Sequence, residues 1–174
     1  MDIFLEQMIK RKKTAMDFIK VAVCVLVALG IFLYVPAFLV IPMIGTILFA
    51  VCVLCIYFLY KMVCGINLEY EYTFTNGMMD VDKIINMRSR KSMVEINIRK
   101  LEIAGKKDNP AFQKYLADRN IKKIYACTRK DAEDLGFIVF QDKDGKNKML
   151  LFNPNEELQE AIRRFNPQKV FFHD

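Results

Sequence analysis

Three groups of residues in this 174-residue chain have types and spacings that could do chemistry. Cys52-x-x-Cys55 has the spacing of a redox or metal-binding pair. Asp80 with Asp82, and Asp142 with Asp144, are paired carboxylates of the kind that serve acid/base work or bind a cation. Lys83, Arg88, Arg90 and Lys91 gather four cations within one short stretch, which suits an anionic headgroup.

Each group also has a plainer reading. The cysteine pair lies in an uninterrupted apolar run, where thiols act as small packing side chains. Alternate aspartates on a strand share one polar face, and aspartates in a turn cap backbone. Neither aspartate pair sits in the twelve-residue pattern of a calcium loop. The cations can equally be a solvated loop. His173 is the sole histidine and the penultimate residue. There is no glycine-rich phosphate loop, nucleophile elbow or His-Glu metal motif. The expectation is therefore a non-enzyme with no catalytic residue, no metal site and no cofactor, whose binding candidates are Lys83, Arg88, Arg90 and Lys91.

The elements that must position these groups are set by Val21–Tyr60, which contains no Asp, Glu, Lys, Arg or His. A helix rises about 1.5 Å per residue and a bilayer core is about 30 Å thick, so roughly 20 apolar residues make one span. The run predicts two spans, 18–35 and 37–60, turning at Pro36. Lys10–Lys13 and Lys20 flank one end and Lys61 the other, while the connection is uncharged. The positive-inside rule then places both termini in the cytoplasm. With no ionisable group inside the spans, a transporter or channel core is not expected. Residues 1–17 read as an amphipathic helix lying on the cytoplasmic leaflet, with Ile3, Phe4, Met8 and Ala15 apolar and Lys10–Lys13 basic.

The composition divides the same way. The chain is 53% hydrophobic and 26% charged, with net charge +6. Residues 1–20 hold five Lys/Arg against three Asp/Glu, and the charge after Tyr60 is a further diffuse excess. That suits anionic lipid and lacks the clustered basic face of a nucleic-acid binder. The five cysteines, at 24, 52, 55, 64 and 127, form no disulfide framework, since three lie in the apolar run.

From residue 66 the period becomes two. Leu68, Tyr70, Tyr72 and Phe74 alternate with polar residues, and Asn76-Gly77 predicts a type I′ hairpin returning as Met78–Ile85. A basic loop at 88–91 leads to a third strand with Val94, Ile96 and Ile98 on one face. Further strands are expected at 101–104, 122–128, 136–141 and 147–152, with a short helix at 110–119. A last helix should be capped by Asn153 with Pro154 at its first position. The apolar tail 170–172 can join a sheet edge or touch the membrane surface.

Seven antiparallel strands followed by one helix is the layout of the pleckstrin-homology (PH) fold. The stretch Glu69-Tyr-Glu-Tyr-Thr-Phe-Thr-Asn-Gly-Met-Met-Asp-Val-Asp-Lys83 is similar to the opening hairpin of bacterial PH-like membrane proteins. Over its whole length the chain resembles a family of two-span Firmicutes membrane proteins with such a cytoplasmic domain. The resemblance implies an α+β membrane protein, with a transmembrane helical hairpin followed by a PH-like antiparallel β-barrel or sandwich at 66–174 and a C-terminal helix. It implies no catalytic residue. The expected role is a scaffold or regulatory module at the bacterial inner membrane, binding a protein partner or its own copies. The alternative is anionic-lipid binding through the basic loop 83–91.

Overall fold

The computed structural model describes residues 2–38, 42–142 and 144–172. It departs from the sequence reading at once. Residues Phe4–Lys10, expected within an amphipathic helix, form a strand, β1. β1 runs antiparallel to β2 (Leu68–Thr75), in register from Phe4↔Thr75 to Lys10↔Glu69. The physical reason is alternation. Ile3, Leu5 and Ile9 pack against the core, while Phe4, Glu6, Met8 and Lys10 face out, so period two buries apolar surface that a helix here would have left to lipid. The ladder also pairs the backbone of β1.

A boundary follows from this pairing. One compact unit is made of Met1–Lys12 together with Leu68–Asp174, and the other is Lys13–Asn67. The domain expected at 66–174 therefore also needs the first twelve residues. The helices are inserted between its first and second strands.

The inserted unit is two helices, α1 (Ala15–Phe38) and α2 (Pro42–Ile66). Within them, Ala15–Leu33 and Gly45–Ile66 are 19 and 22 residues long with mean hydropathy 2.4, long and apolar enough to cross a membrane. The expected turn at Pro36 is not found, because α1 continues through it to Phe38. Pro42 instead opens α2, where its fixed φ and missing N–H suit the first turn. The connection at 39–41 lies outside the described residues.

The first sheet has the order β1-β2-β3-β4, all antiparallel, with β3 at Met78–Ile85 and β4 at Ser89–Asn97. The β2–β3 hairpin is as the sequence predicts: Asn76 and Gly77 have φ +50° and +93°, the two positive values of a type I′ turn. A Cβ on Gly77 would meet Phe165 at 2.7 Å. The next turn is tighter than expected. Asn86 and Met87 also have positive φ, +51° and +56°, and the Arg88 N–H donates to the Ile85 carbonyl at 3.1 Å. The ladder resumes at Ser89, so Arg90 and Lys91 belong to a strand and not to a loop.

The second sheet has the order β6-β8-β7-β5-β9. Its strands are β5 (Ile103–Lys106), β6 (Lys122–Ala126), β7 (Gly136–Gln141), β8 (Asn147–Phe152) and β9 (Val170–Phe171). The β6–β8 and β5–β9 pairs are parallel, so the tail does join a sheet edge. Helix α3 (Pro110–Ala117) starts at an Asn109 cap. Helix α4 (Glu156–Phe165) is capped by Asn155, whose Oδ1 accepts from the Leu158 N–H at 2.9 Å. The expected cap, Asn153, is buried and engaged elsewhere.

Among the described residues the two sheets share no paired strand. They form a sandwich, not a closed barrel. Tyr72, Phe74, Met79, Val81 and Ile96 from the first sheet meet Ile138, Leu150 and Phe152 from the second, with Leu158 and Ile162 of α4 sealing the core. Phe112 of α3 covers the other face of the second sheet with Phe137 and Leu151.

Candidate functional site

At one end of the first sheet, two cross-strand rows gather the cations. Lys10, Glu69, Ile84 and Arg90 form one row, and Ile9, Tyr70, Lys83 and Lys91 the next. Beyond them the Arg11 N–H donates to the Leu68 carbonyl at 2.9 Å. This is the end at which the chain leaves for α1 and returns from α2. It is also the end that carries the Asn86–Arg88 turn. The pairing thus brings Lys10 and Arg11 to the same sheet end as Lys83, Arg88 and Lys91, which the sequence separates by more than seventy residues.

The four cations singled out by sequence do not behave alike. Lys83 and Lys91 stand directly opposite each other, a like-charge pairing that costs stability unless an anion shares it. Among the described residues, Lys83, Arg88 and Lys91 make no ion pair. Arg90 is occupied. Its Nε lies 2.8 Å from Asp82 Oδ2, and its terminal nitrogen grips the carboxylate of Glu71, whose side chain is only 7% exposed. A register shift at Val81/Asp82 sets Asp82 beside it. Arg90 therefore neutralises a buried acid and is not available to a ligand.

The outer face of the first sheet has the opposite sign. Glu6, Glu69, Glu71, Asp80, Asp82 and Glu95 share it with Lys10 and Arg90, so six carboxylates against two cations leave a net charge of −4. Phe4 and Met8 stand exposed on the same face, at 64% and 56%.

The remaining sequence candidates lead away from chemistry. Asp80 and Asp82 lie on this outer face, as strand alternation requires. Asp142 holds the Lys148 ammonium, and Asp144 is exposed. Cys52 and Cys55 line an apolar crevice of about 280 Å³ against Val25, Leu29 and Phe32 of α1. Burial pushes the Cys127 thiol up from its usual range, so it keeps its proton and is a poor nucleophile. His173 lies outside the described residues. No group of three or more His, Cys, Asp or Glu is placed to hold a metal among the described residues.

Sequence reasoning missed a polar network, buried at Tyr72 and Asn153, that ties β1 to the second sheet. Tyr72 donates its hydroxyl proton to the Ala126 carbonyl and accepts from the Asn153 N–H at 3.2 Å. Asn153 Oδ1 accepts from the Thr128 N–H at 2.8 Å. Gln7 clamps the following segment with both ends of its amide: Nε2 donates to the Asn153 carbonyl at 2.8 Å, and Oε1 accepts from the Asn155 N–H at 2.9 Å. The Lys12 N–H donates to the Thr128 carbonyl at 3.0 Å. A glutamine in place of an apolar residue at an inward position of β1 was the only signal in the sequence, and the helical reading of that segment hid it.

The fold, two open sheets sealed by a C-terminal helix, can be set against known proteins. No curated protein and no solved structure matches the chain. A family model described as Bacterial PH-like domain (DUF6106) matches residues 1–172, a span that includes both β1 and the inserted helices. The chain belongs to this family of bacterial PH-like domains.

Proposed function

We propose that this chain is a non-enzymatic, membrane-anchored module in which α1 and α2 span the bacterial cytoplasmic membrane, both termini are cytoplasmic, and one end of the PH-like sheet engages anionic lipid headgroups. One observation carries this reading. Lys83, Arg88 and Lys91, which make no ion pair among the described residues, lie at the sheet end from which the chain runs into the helices, the end that also carries Lys10 and Arg11. Each cation near an anionic leaflet contributes about 1 kcal/mol. Replacing Lys83, Arg88 and Lys91 with Ser in the full chain should lower crosslinking of a photoactivatable anionic lipid to the domain by roughly tenfold or more. High salt should act in the same direction. Crosslinking that is unchanged in the triple variant would remove the site.

A second observation favours a protein partner as well. The outer sheet face joins net negative charge to exposed Phe4 and Met8, a surface that anionic lipid repels and a cationic polypeptide fits. On this reading the module is also a scaffold. Its copies cannot pack this face against itself, because like charges would meet. Extraction in mild detergent should recover a stoichiometric partner or an oligomer built through another surface. A bare monomer would count against scaffolding.

A further inference from the structure

Met87 is 76% exposed, more than any other large apolar side chain among the described residues. Its backbone is also in an unfavourable state. It occupies the second central position of the β3–β4 turn with φ +56°, beside Asn86 at +51°. Asparagine tolerates the left-handed region, whereas a type I′ turn favours glycine at the position that Met87 fills. The fold thus holds a long apolar side chain at a strained tip and covers little of it.

Three features around the tip bear on what would cover it. The turn lies at the sheet end carrying Lys10 and Arg11, where the chain passes to α1 and from α2. Only Asn67 separates α2 from β2. The tip is flanked by Lys83, Arg88 and Lys91, cations with no ion pair among the described residues. An apolar side chain at a sheet end that also carries cations fits the boundary of an anionic bilayer, where headgroup phosphates meet the cations and the acyl region takes the thioether. A second copy of the turn would bring like charges together.

We infer that Met87 is a membrane-dipping tip, seated in the interfacial layer of the bilayer that anchors the chain. This rests on the reading that α1 and α2 span that bilayer. It adds a shallow apolar contact that fixes the tilt of the domain, which the helices alone, joined to the sheet through short links, would leave free.

The test uses the full chain reconstituted in vesicles containing anionic lipid. In the unmodified protein, peroxide in the aqueous phase should oxidise Met87 several-fold more slowly than Met8, although Met87 is the more exposed side chain within the folded chain. Met8, on the outer sheet face, serves as the internal reference. The chain contains no tryptophan, so Met87→Trp provides a single reporter. Lipids brominated on their acyl chains should quench it by roughly half or more, as shallow insertion demands, and should leave Phe4→Trp bright. Met87 oxidised as fast as Met8, or equal quenching of the two reporters, in protein that resists carbonate extraction overturns the inference and spares the spanning reading. Protein that washes out with carbonate overturns both.

Discussion

At the scale of single residues, Arg90 and its neighbours show how one basic cluster divides into structural and binding parts. Glu71, on the outer face of β2 between β1 and β3, is buried, and Arg90 is its counter-charge. Removing that partner leaves a buried carboxylate unpaired. Because Arg90 itself is half exposed, its loss should cost about 1–3 kcal/mol, short of a fully buried pair. Arg90→Ser should therefore lower the melting temperature, and Glu71→Gln in the same chain should restore part of it. Lys83→Ser and Lys91→Ser should leave melting unchanged or raise it, since they relieve a like-charge pair. Equal destabilisation by all three would contradict the assignment.

Tyrosines give the pH dependence at the same scale. Burial raises the pKa of Tyr70 and of Tyr72 above the ordinary value near 10, and a hydrogen bond to Glu102 pushes Tyr115 up to about 12. A raised pKa means that the folded state holds the proton more tightly. The contribution is complete below pH 10, where folded and unfolded forms are both protonated, and declines as pH rises through the folded values. Stability should fall as pH rises above 10, and Tyr115→Phe should remove the part lost between about 10 and 12. The check is urea unfolding followed from pH 8 to 12.

At the scale of elements, β1 is decisive. It supplies an edge to the first sheet, places Leu5 and Ile9 on the core, and carries the Gln7 clamp. A fragment beginning at Leu68 lacks all of this and should fail to melt cooperatively. The pairing of Lys10 with Glu69 brings the two ends of the inserted unit close together. Replacing residues 14–66 with a short Gly-Ser linker should therefore yield a soluble domain with a single cooperative transition. Cooperative melting of the Leu68 fragment alone would show that β1 is dispensable.

Over the whole molecule, the covalent order explains the proposed role. The chain crosses from β1 into two apolar helices and returns to β2, so both attachments fall at one end of one sheet. With spanning helices, that end is held near the headgroups by two links and not one. The acidic outer face and the cationic end then sort themselves against an anionic leaflet by sign. In a background lacking the native cysteines, a cysteine at Ala37 should react with an impermeant reagent from outside the cell. Reaction only from inside would reverse the orientation.

Local patterns in the sequence determined much of this. Uninterrupted apolar length marked the two helices, period two marked Leu68–Thr75, and Asn76-Gly77 marked its hairpin, because each depends on neighbours a few residues apart. Gly136–Gln141 and Asn147–Phe152 were legible for the same reason. Tertiary structure alone decided what depends on distant pairing. Phe4–Lys10 is a strand because β2, nearly sixty residues away, offers it an edge, and its own short alternating pattern admitted a helix equally well. Arg90 is a structural residue because Glu71 is buried beside it. Lys10 and Arg11 share one sheet end with Lys83, Arg88 and Lys91 because the strand pairing, which no local stretch encodes, places them there.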